Sequence, residues 1–233
     1  MSLHRSWQKM LVYKHISNLE NKRIKKQIVH EKYQVNISEK RIFKELSYVF
    51  SEIQGYKNLY IKLFEDMSLC DFINTASVTD KHGENSSKYI KIKLYDHTLN
   101  TFYKMVEILK SKENLTIQKD IFLLIALLHD FGKSHKLCEK YNINLENGHH
   151  IRSSQYFNNI ILNSIDNYGL DKVTFKIIYE TLYAHHEIIP ASSSETIFMK
   201  LLKEADGMAR KTEEEILIKL EEEKKNKSKD ELL

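Results

Sequence analysis

The residues with the clearest chemical potential are an adjacent histidine and aspartate, His129 and Asp130, which follow the apolar run 121–128. Imidazole nitrogen and carboxylate oxygen together form a good ligand set for a divalent metal ion. A carboxylate next to a buried helix costs on the order of several kcal/mol without a partner, and a bound cation removes that cost. The pair therefore predicts a metal site.

Further candidate ligands occur on both sides of this pair. Seven of the eleven histidines fall between residues 97 and 186, and Asp206 follows them. These seven are His97, His129, His135, His149, His150, His185 and His186. Each alone is a weak signal, but their positions near the ends of successive predicted helices favour one shared site. A nitrogen and oxygen set without cysteine argues against structural zinc and suits one or two ions of Fe, Mn, Ni, Co or Zn.

Helix geometry limits how two consecutive histidines can bind one metal ion. Adjacent residues of an α-helix point about 100° apart. His185 and His186 are therefore not expected to approach one ion from the same direction, and neither are His149 and His150. One member of each pair could be a ligand while the other contacts substrate, a second ion or a ligand. Lys133 follows the His-Asp pair closely and could face a phosphate as a point charge.

The composition predicts a helical protein with one good-sized core. The chain has 233 residues, 42% hydrophobic and 29% charged, with one proline and six glycines. So few helix breakers indicate a mostly α-helical fold. The longest apolar run, 121–128, is shorter than the roughly 20 residues that span a bilayer. No apolar signal segment stands near residue 1, so we expect a cytoplasmic location and no membrane association.

The sequence divides into blocks with different patterns. Residues 1–73 are basic and helical, and apolar residues from Ile42 to Ile53 recur at three- and four-residue steps in a helix that Asn36 or Ser38 could cap. Residues 74–94 read as a loop or linker, with at most an isolated extended piece at 88–94. Residues 95–211 carry the candidate ligands. Residues 212–233 read as a charged helix or tail that starts with a capping box at Thr212.

Helices in the third of these blocks can be placed from caps and apolar spacing. Asp96 is expected to cap one helix, and Thr116 to cap another over about 117–130, with Gly132 just past its end. Further helices are expected over about 151–165, 172–186 and 195–210.

The N-terminal block has a marked charge bias. Residues 1–45 hold eleven lysines and arginines against four glutamates. Such a segment could contact the phosphates of a nucleic acid, or it could simply be the solvated face of a helix.

Taken in order, the candidate ligands resemble the motif of the HD-domain phosphohydrolase superfamily, which is H…HD…D on a helical bundle. His97 is similar to the first His, His129-Asp130 to the HD pair, and Asp206 to the last Asp. The resemblance covers about residues 95–211. It implies an all-α HD-domain helical bundle, here with an additional N-terminal helical region.

The longer pattern resembles the two-metal members, including the HD-GYP phosphodiesterases. Lys133, His149 and the pair His185-His186 match their additional motif positions. The resemblance implies that one ion takes His97, His129, Asp130 and Asp206. It implies that the other takes His149 and His185, with His186 nearby and Asp130 bridging.

The sequence also departs from that group at two places. Residues 188–194 read Ile-Ile-Pro-Ala-Ser-Ser-Ser where the group has a Gly-Tyr-Pro motif, so cleavage of cyclic di-GMP is not assigned. Lys93 stands where three-metal members carry a glutamate, which argues against a third ion.

The function that the resemblance implies is a metal-dependent phosphohydrolase or phosphodiesterase. A metal-bound hydroxide would attack a nucleotide or another small phosphoester. Asp130 and Lys133 would be catalytic, and Lys133, Arg152 and His150 would bind substrate. Two alternatives stay open: a nuclease on single-stranded nucleic acid that uses the basic N-terminal region, and a non-catalytic nucleotide-sensing module.

Overall fold

The computed structural model describes residues 37, 39–78, 90–162, 168–186 and 196–230. These ranges contain eight α-helices and two 3-10 helices, Glu113–Gln118 and Phe131–Lys133. The α-helices are α1 (Lys40–Glu52), α2 (Lys57–Leu69), α3 (Leu94–Lys110), α4 (Lys119–Leu128), α5 (His135–Lys140), α6 (His149–Leu162), α7 (Lys172–Ala184) and α8 (Ile197–Asp230). The predicted all-α class is confirmed, because the described residues pair as strands only at one isolated bridge, Ala76 with Lys93.

Helix α4 forms the centre of the bundle. Every residue from Phe122 to Leu128 is buried, and α3, α7 and α8 all pack against this helix. Its second half is apolar on all sides, as expected for a helix surrounded by others. The central helix therefore places His129 and Asp130 in the buried interior of the bundle.

The N-terminal helices share the core of the helices that carry the candidate ligands. Ile42, Leu46 and Val49 form the buried face of α1, as the spacing predicts. Arg41 of α1 also forms an ion pair with Asp96 of α3. The described part of the N-terminal region is thus built into the same hydrophobic cluster. Asn36, Ser38 and most of the basic segment lie outside the described residues, and Glu39 is the N-cap of α1.

A buried carboxylate, Asp66, ties α2 to the segment around α5 and α6. Its oxygens accept hydrogen bonds from Lys140 Nζ at 2.6 Å, Tyr141 Oη at 2.6 Å and Tyr156 Oη at 2.7 Å. Lys62 of the same helix adds a fourth donor at 3.1 Å. This network satisfies a charge that would otherwise be costly to bury.

Two predicted helix starts are wrong by a few residues. Helix α3 begins at Leu94, so Asp96 lies in its first turn and pairs with Arg41 instead of capping the helix. Helix α4 begins at Lys119, because the chain around Thr116 first forms a 3-10 helix. Gly132 belongs to the short 3-10 helix that follows the His-Asp pair. For Asp96, a contact with another helix thus replaced the expected capping role.

The expected helix start at Thr212 is also wrong. Helix α8 runs without interruption from Ile197 to Asp230, and the Thr212 hydroxyl donates to the Met208 carbonyl within it. The cause is apolar packing beyond this point, where Ile216 and Leu217 are buried against Ile92. The predicted boundary at 211 therefore falls inside a continuous helix.

The helices predicted over about 151–165 and 172–186 agree with α6 and α7 to within a few residues. The third, predicted over about 195–210, begins near the start of α8, but its predicted end is wrong because α8 continues to Asp230. The two described ends of the predicted linker are joined by hydrogen bonds from Ser77 N to the Ile92 carbonyl and from Leu94 N to the Thr75 carbonyl.

No helix among the described residues is both long and apolar enough to cross a membrane.

Candidate metal centre

Five helices bring their candidate ligands to one place. His97 lies in the first turns of α3, His129 and Asp130 follow α4, His149 begins α6, His185 and His186 follow α7, and Asp206 lies within α8. Two groups result, in each of which the potential ligand atoms lie within 4.8 Å of one another. We define the inner subsite as His97, His129 and Asp206, and the outer subsite as Asp130, His149, His185 and His186.

Three histidine rings are oriented by hydrogen bonds at Nδ1. His129 Nδ1 lies 2.9 Å from the Ala126 carbonyl, and His185 Nδ1 lies 2.7 Å from the Leu182 carbonyl. His97 Nδ1 lies 2.9 Å from a carboxylate oxygen. Because a carbonyl oxygen only accepts, the proton of His129 and His185 must reside on Nδ1. When Nε2 carries no proton, each ring can offer the lone pair of that nitrogen as a ligand.

The atoms that face the centre are buried without hydrogen-bond partners. They are the Nε2 atoms of His97, His129 and His185 and the Oδ1 atoms of Asp130 and Asp206. Buried polar atoms in folded proteins are almost always paired, and so many unpaired atoms at one point need an explanation. Asp206 Oδ1 lies 3.1 Å from His97 Nε2 but without hydrogen-bond geometry. A divalent cation fits this donor set, since it would satisfy these atoms together.

Asp130 is grouped with the outer subsite but also lies beside the histidines of the inner subsite. Its Oδ2 lies 3.3 Å from His97 Nε2 and 3.4 Å from His129 Nε2, on the inner side. Its Oδ1 lies 3.4 Å from His149 Nε2, on the outer side. Lys133 Nζ donates to Oδ2 at 2.6 Å. A carboxylate whose two oxygens face two different groups of potential ligands is placed as a bridging ligand would be.

The electrostatics of the subsites differ. Burial lowers the pKa of His185 to about 2 and that of His149 to about 3, so these rings are neutral at pH 7, the state in which imidazole can bind a metal ion. Burial also acts to lower the pKa of His97, but the charge of Glu213 raises that pKa to about 10. Burial would raise the pKa of Asp206, yet its contact with His97 lowers it well below the ordinary value. The inner subsite thus favours a positive charge.

The turn after the His-Asp pair requires a glycine. A Cβ atom on Gly132 would lie 2.7 Å from Arg152 Cβ and 2.7 Å from Ser153 N, both in α6. Ser153 Oγ accepts from Gly132 N at 2.9 Å and donates to the His129 carbonyl at 2.8 Å. The missing side chain lets α6 approach closely, which fixes His149 against the end of α4.

The outer subsite changes one expectation from the sequence. His185 and His186 belong to the same group of potential ligands, although adjacent helical residues were not expected to approach one ion from the same direction. His149 Nε2 lies 2.8 Å from His186 Nε2. The ring of His150 lies 5.7 Å from that of His186 but is not among the potential ligands.

Two predicted substrate-binding residues have different surroundings. Lys133 pairs with Asp130 and keeps 18% of its side chain exposed, at the border between the buried carboxylate and solvent. Arg152 lies against Gly132 and beside Cys138 of α5. The geometry gives Arg152 no direct link to the ligands, and its role in substrate binding stays a prediction.

One residue with a clear place in the site was missed from the sequence. Glu213 is fully buried, and its Oε1 lies 2.9 Å from His97 Nδ1. The local pattern assigned residues 212–233 to a charged helix or tail that starts with a capping box at Thr212. A usable signal was available, since Asp206 and Glu213 are seven residues apart and lie on one face if the helix continues.

Comparison with protein families gives one match. The family model described as HD domain matches residues 94–221, more than half of the chain. The match includes every potential ligand of both subsites and also Glu213. Neither a curated protein nor a solved structure is significantly similar to the chain.

Proposed function

Because this chain belongs to the HD-domain family, whose members are generally metal-dependent hydrolases, we propose that it hydrolyses a nucleotide or another phosphoester. The observation that carries the proposal is the position of Asp130, whose two oxygens face two separate groups of potential ligands. A two-metal site of this type suits phosphoester hydrolysis, since it can clamp both the attacking and the leaving oxygen.

The proposal assigns each ligand to an ion. One divalent ion would be held by the inner subsite with Asp130, and a second by the outer subsite. When bound, such ions lower the pKa of water and withdraw charge from a phosphoryl oxygen. Their identity is left among Fe, Mn, Ni, Co and Zn, because availability decides it more than ligand type.

Charged and polar residues around the proposed metal site would favour an anionic substrate. Burial acts to raise the pKa of Asp130, but its contacts with His129 and Lys133 hold that pKa well below the ordinary value, so the carboxylate is ionised. The Lys133 ammonium lies beside this carboxylate at the solvent border, where it can meet a phosphate oxygen. His150 lies next to His149 and His186, on the more exposed side of the centre. We assign both residues to substrate binding.

The test is hydrolysis of a panel of nucleotides, cyclic nucleotides and generic phosphodiesters in the presence of Mn, Fe, Ni or Co. We expect turnover by the wild-type protein and its loss in H129A. The matched control is H135A, which removes an exposed histidine just beyond the same turn and should retain activity. A metal-loaded wild type that leaves the whole panel intact would contradict the proposal and favour the non-catalytic alternative.

The nuclease alternative rests on the charge of the N-terminal segment, with eleven lysines and arginines against four glutamates in residues 1–45. Binding of a single-stranded oligonucleotide should then weaken steeply with salt. The informative deletion removes residues 1–36 and stops before α1, because Ile42 and Leu46 belong to the shared core. Binding that is absent, or that survives both salt and deletion, would count against this alternative.

A further inference from the structure

The carboxylate of Glu213 is the centre of a buried hydrogen-bond network. Its Oε1 lies 2.9 Å from His97 Nδ1 and accepts from Asn100 Nδ2 at 3.0 Å. Its Oε2 accepts from Arg210 Nη1 at 3.0 Å. The same Arg210 nitrogen donates to Ser77 Oγ at 3.0 Å, outside the helix. Both oxygens are therefore fixed, and so is the ring of His97.

The described histidine ligands differ in what holds them. His129 and His185 bond neutral backbone carbonyls through Nδ1. His149 and His186 contact each other through Nε2. Of these rings, His97 has a carboxylate at Nδ1. A carboxylate partner fixes the tautomer and raises the basicity of the ligating nitrogen more than a neutral carbonyl does.

The two subsites also differ in charge and access to water. His97 and His129 are buried, and besides the shared Asp130 two further carboxylates, those of Asp206 and Glu213, lie beside His97. The Asp206 side chain is 30% exposed, but its Oδ1 atom, which faces the centre, is buried. In the outer subsite, 23% of the His149 side chain is exposed. His186 is exposed too. Negative charge in a dry environment attracts a cation more strongly than the same charge near water.

We propose that Glu213 is a positioning residue that holds His97 as an Nε2 ligand and makes the inner subsite the tighter of the two, so that it fills first. This inference rests on the proposed metal site. It goes beyond that site in two respects. The inner ion binds before the outer ion, and Glu213 acts through His97 without contacting either ion.

The experiment is a titration of the metal-free protein with Co²⁺ against a competing chelator, followed by the visible spectrum of the bound ion. E213Q keeps the shape of the side chain and removes its charge. E215Q, an exposed position two residues later on the same helix, is the matched control. We expect E213Q to bind the first ion about 10- to 100-fold more weakly. The second affinity of E213Q, and both affinities of E215Q, should stay close to wild type.

Other results would overturn the inference. Unchanged first-ion binding in E213Q, or equal weakening of both ions, means that Glu213 does not act selectively on the inner subsite. A second measurement uses no variant: with less than one equivalent of Zn²⁺, the ¹⁵N resonances of His97 and His129 should shift before that of His185. The reverse order also overturns the inference. A wild type that binds no metal would refute the proposed function itself, which separates the two failures.

Discussion

Replacing Asp66 with alanine tests whether the buried network between α2, α5 and α6 holds the bundle together. The carboxylate accepts four hydrogen bonds, and its removal leaves the buried hydroxyl of Tyr156 without an acceptor. Removing one partner of a buried ion pair costs about 3–5 kcal/mol. The lysines keep 28% and 36% of their side chains exposed, so water can take over part of their loss. We therefore expect about 3 kcal/mol, the lower end of that range.

The assay is urea unfolding at pH 7 with a chelator present, so that metal binding does not contribute. A loss of about 3 kcal/mol corresponds to a melting temperature about 6–12 °C lower for a chain of this size. Lys136→Ala is the control, because it removes only the exposed pair with Asp71, which should cost less than about 1 kcal/mol. A D66A variant within 1 kcal/mol of wild type would refute the network's role.

Three further predictions follow from the same structure. Burial acts to raise the pKa of Asp66, but the lysines and tyrosines bonded to Asp66 lower this pKa below the ordinary 3.8. The ionised carboxylate therefore stabilises the fold fully at higher pH, and this stabilisation is lost as the pH falls through the folded-state pKa. The difference in unfolding free energy between wild type and D66N should thus be constant above about pH 5 and shrink below about pH 4; a difference that grows in acid would contradict this. Gly132→Ala should lower the free energy of unfolding in urea by about 1–3 kcal/mol, because α6 must move away from the added Cβ atom. The same movement should weaken the binding of the ion that His149 holds. Unchanged stability and unchanged metal affinity would contradict the close approach of α6 to Gly132. Lys133→Met should retain both ions but lower kcat/KM for a phosphoester roughly ten- to a hundredfold, as expected for the loss of one charge-assisted contact. The control variant K136M should keep the kcat/KM of the wild type. Loss of metal from K133M would contradict this prediction and show that Lys133 acts by supporting Asp130.

The sequence predicted the helical class and the gathering of the candidate ligands for physical reasons. Helix breakers are scarce, and His129, His149 and His185 stand at the ends of apolar, helix-periodic segments. Ends of neighbouring helices in a bundle meet at common levels, so ligands placed there can converge. The metal-binding role of each residue is still a prediction that awaits measurement.

What the sequence could not provide depends on contacts far apart in the chain. Glu213 matches a capping pattern as well as a position within a helix, and its bond to His97 spans 116 residues. Asp66 reaches Tyr156 across 90 residues. Local propensity carries no information on such pairs, and the same applies to Asp96, whose partner Arg41 comes from another helix. Tertiary packing decides these positions.

The central claim is that Asp130 joins two metal sites in this chain, and metal content tests it most directly. Wild type and D130A are loaded with Mn²⁺ or Zn²⁺, freed of loose ions by gel filtration, and analysed by mass spectrometry for ions per chain. We expect two ions in the wild type and loss of both in D130A, with circular dichroism showing that the helices persist. A wild type without metal, or a D130A variant that retains two ions, would contradict the account.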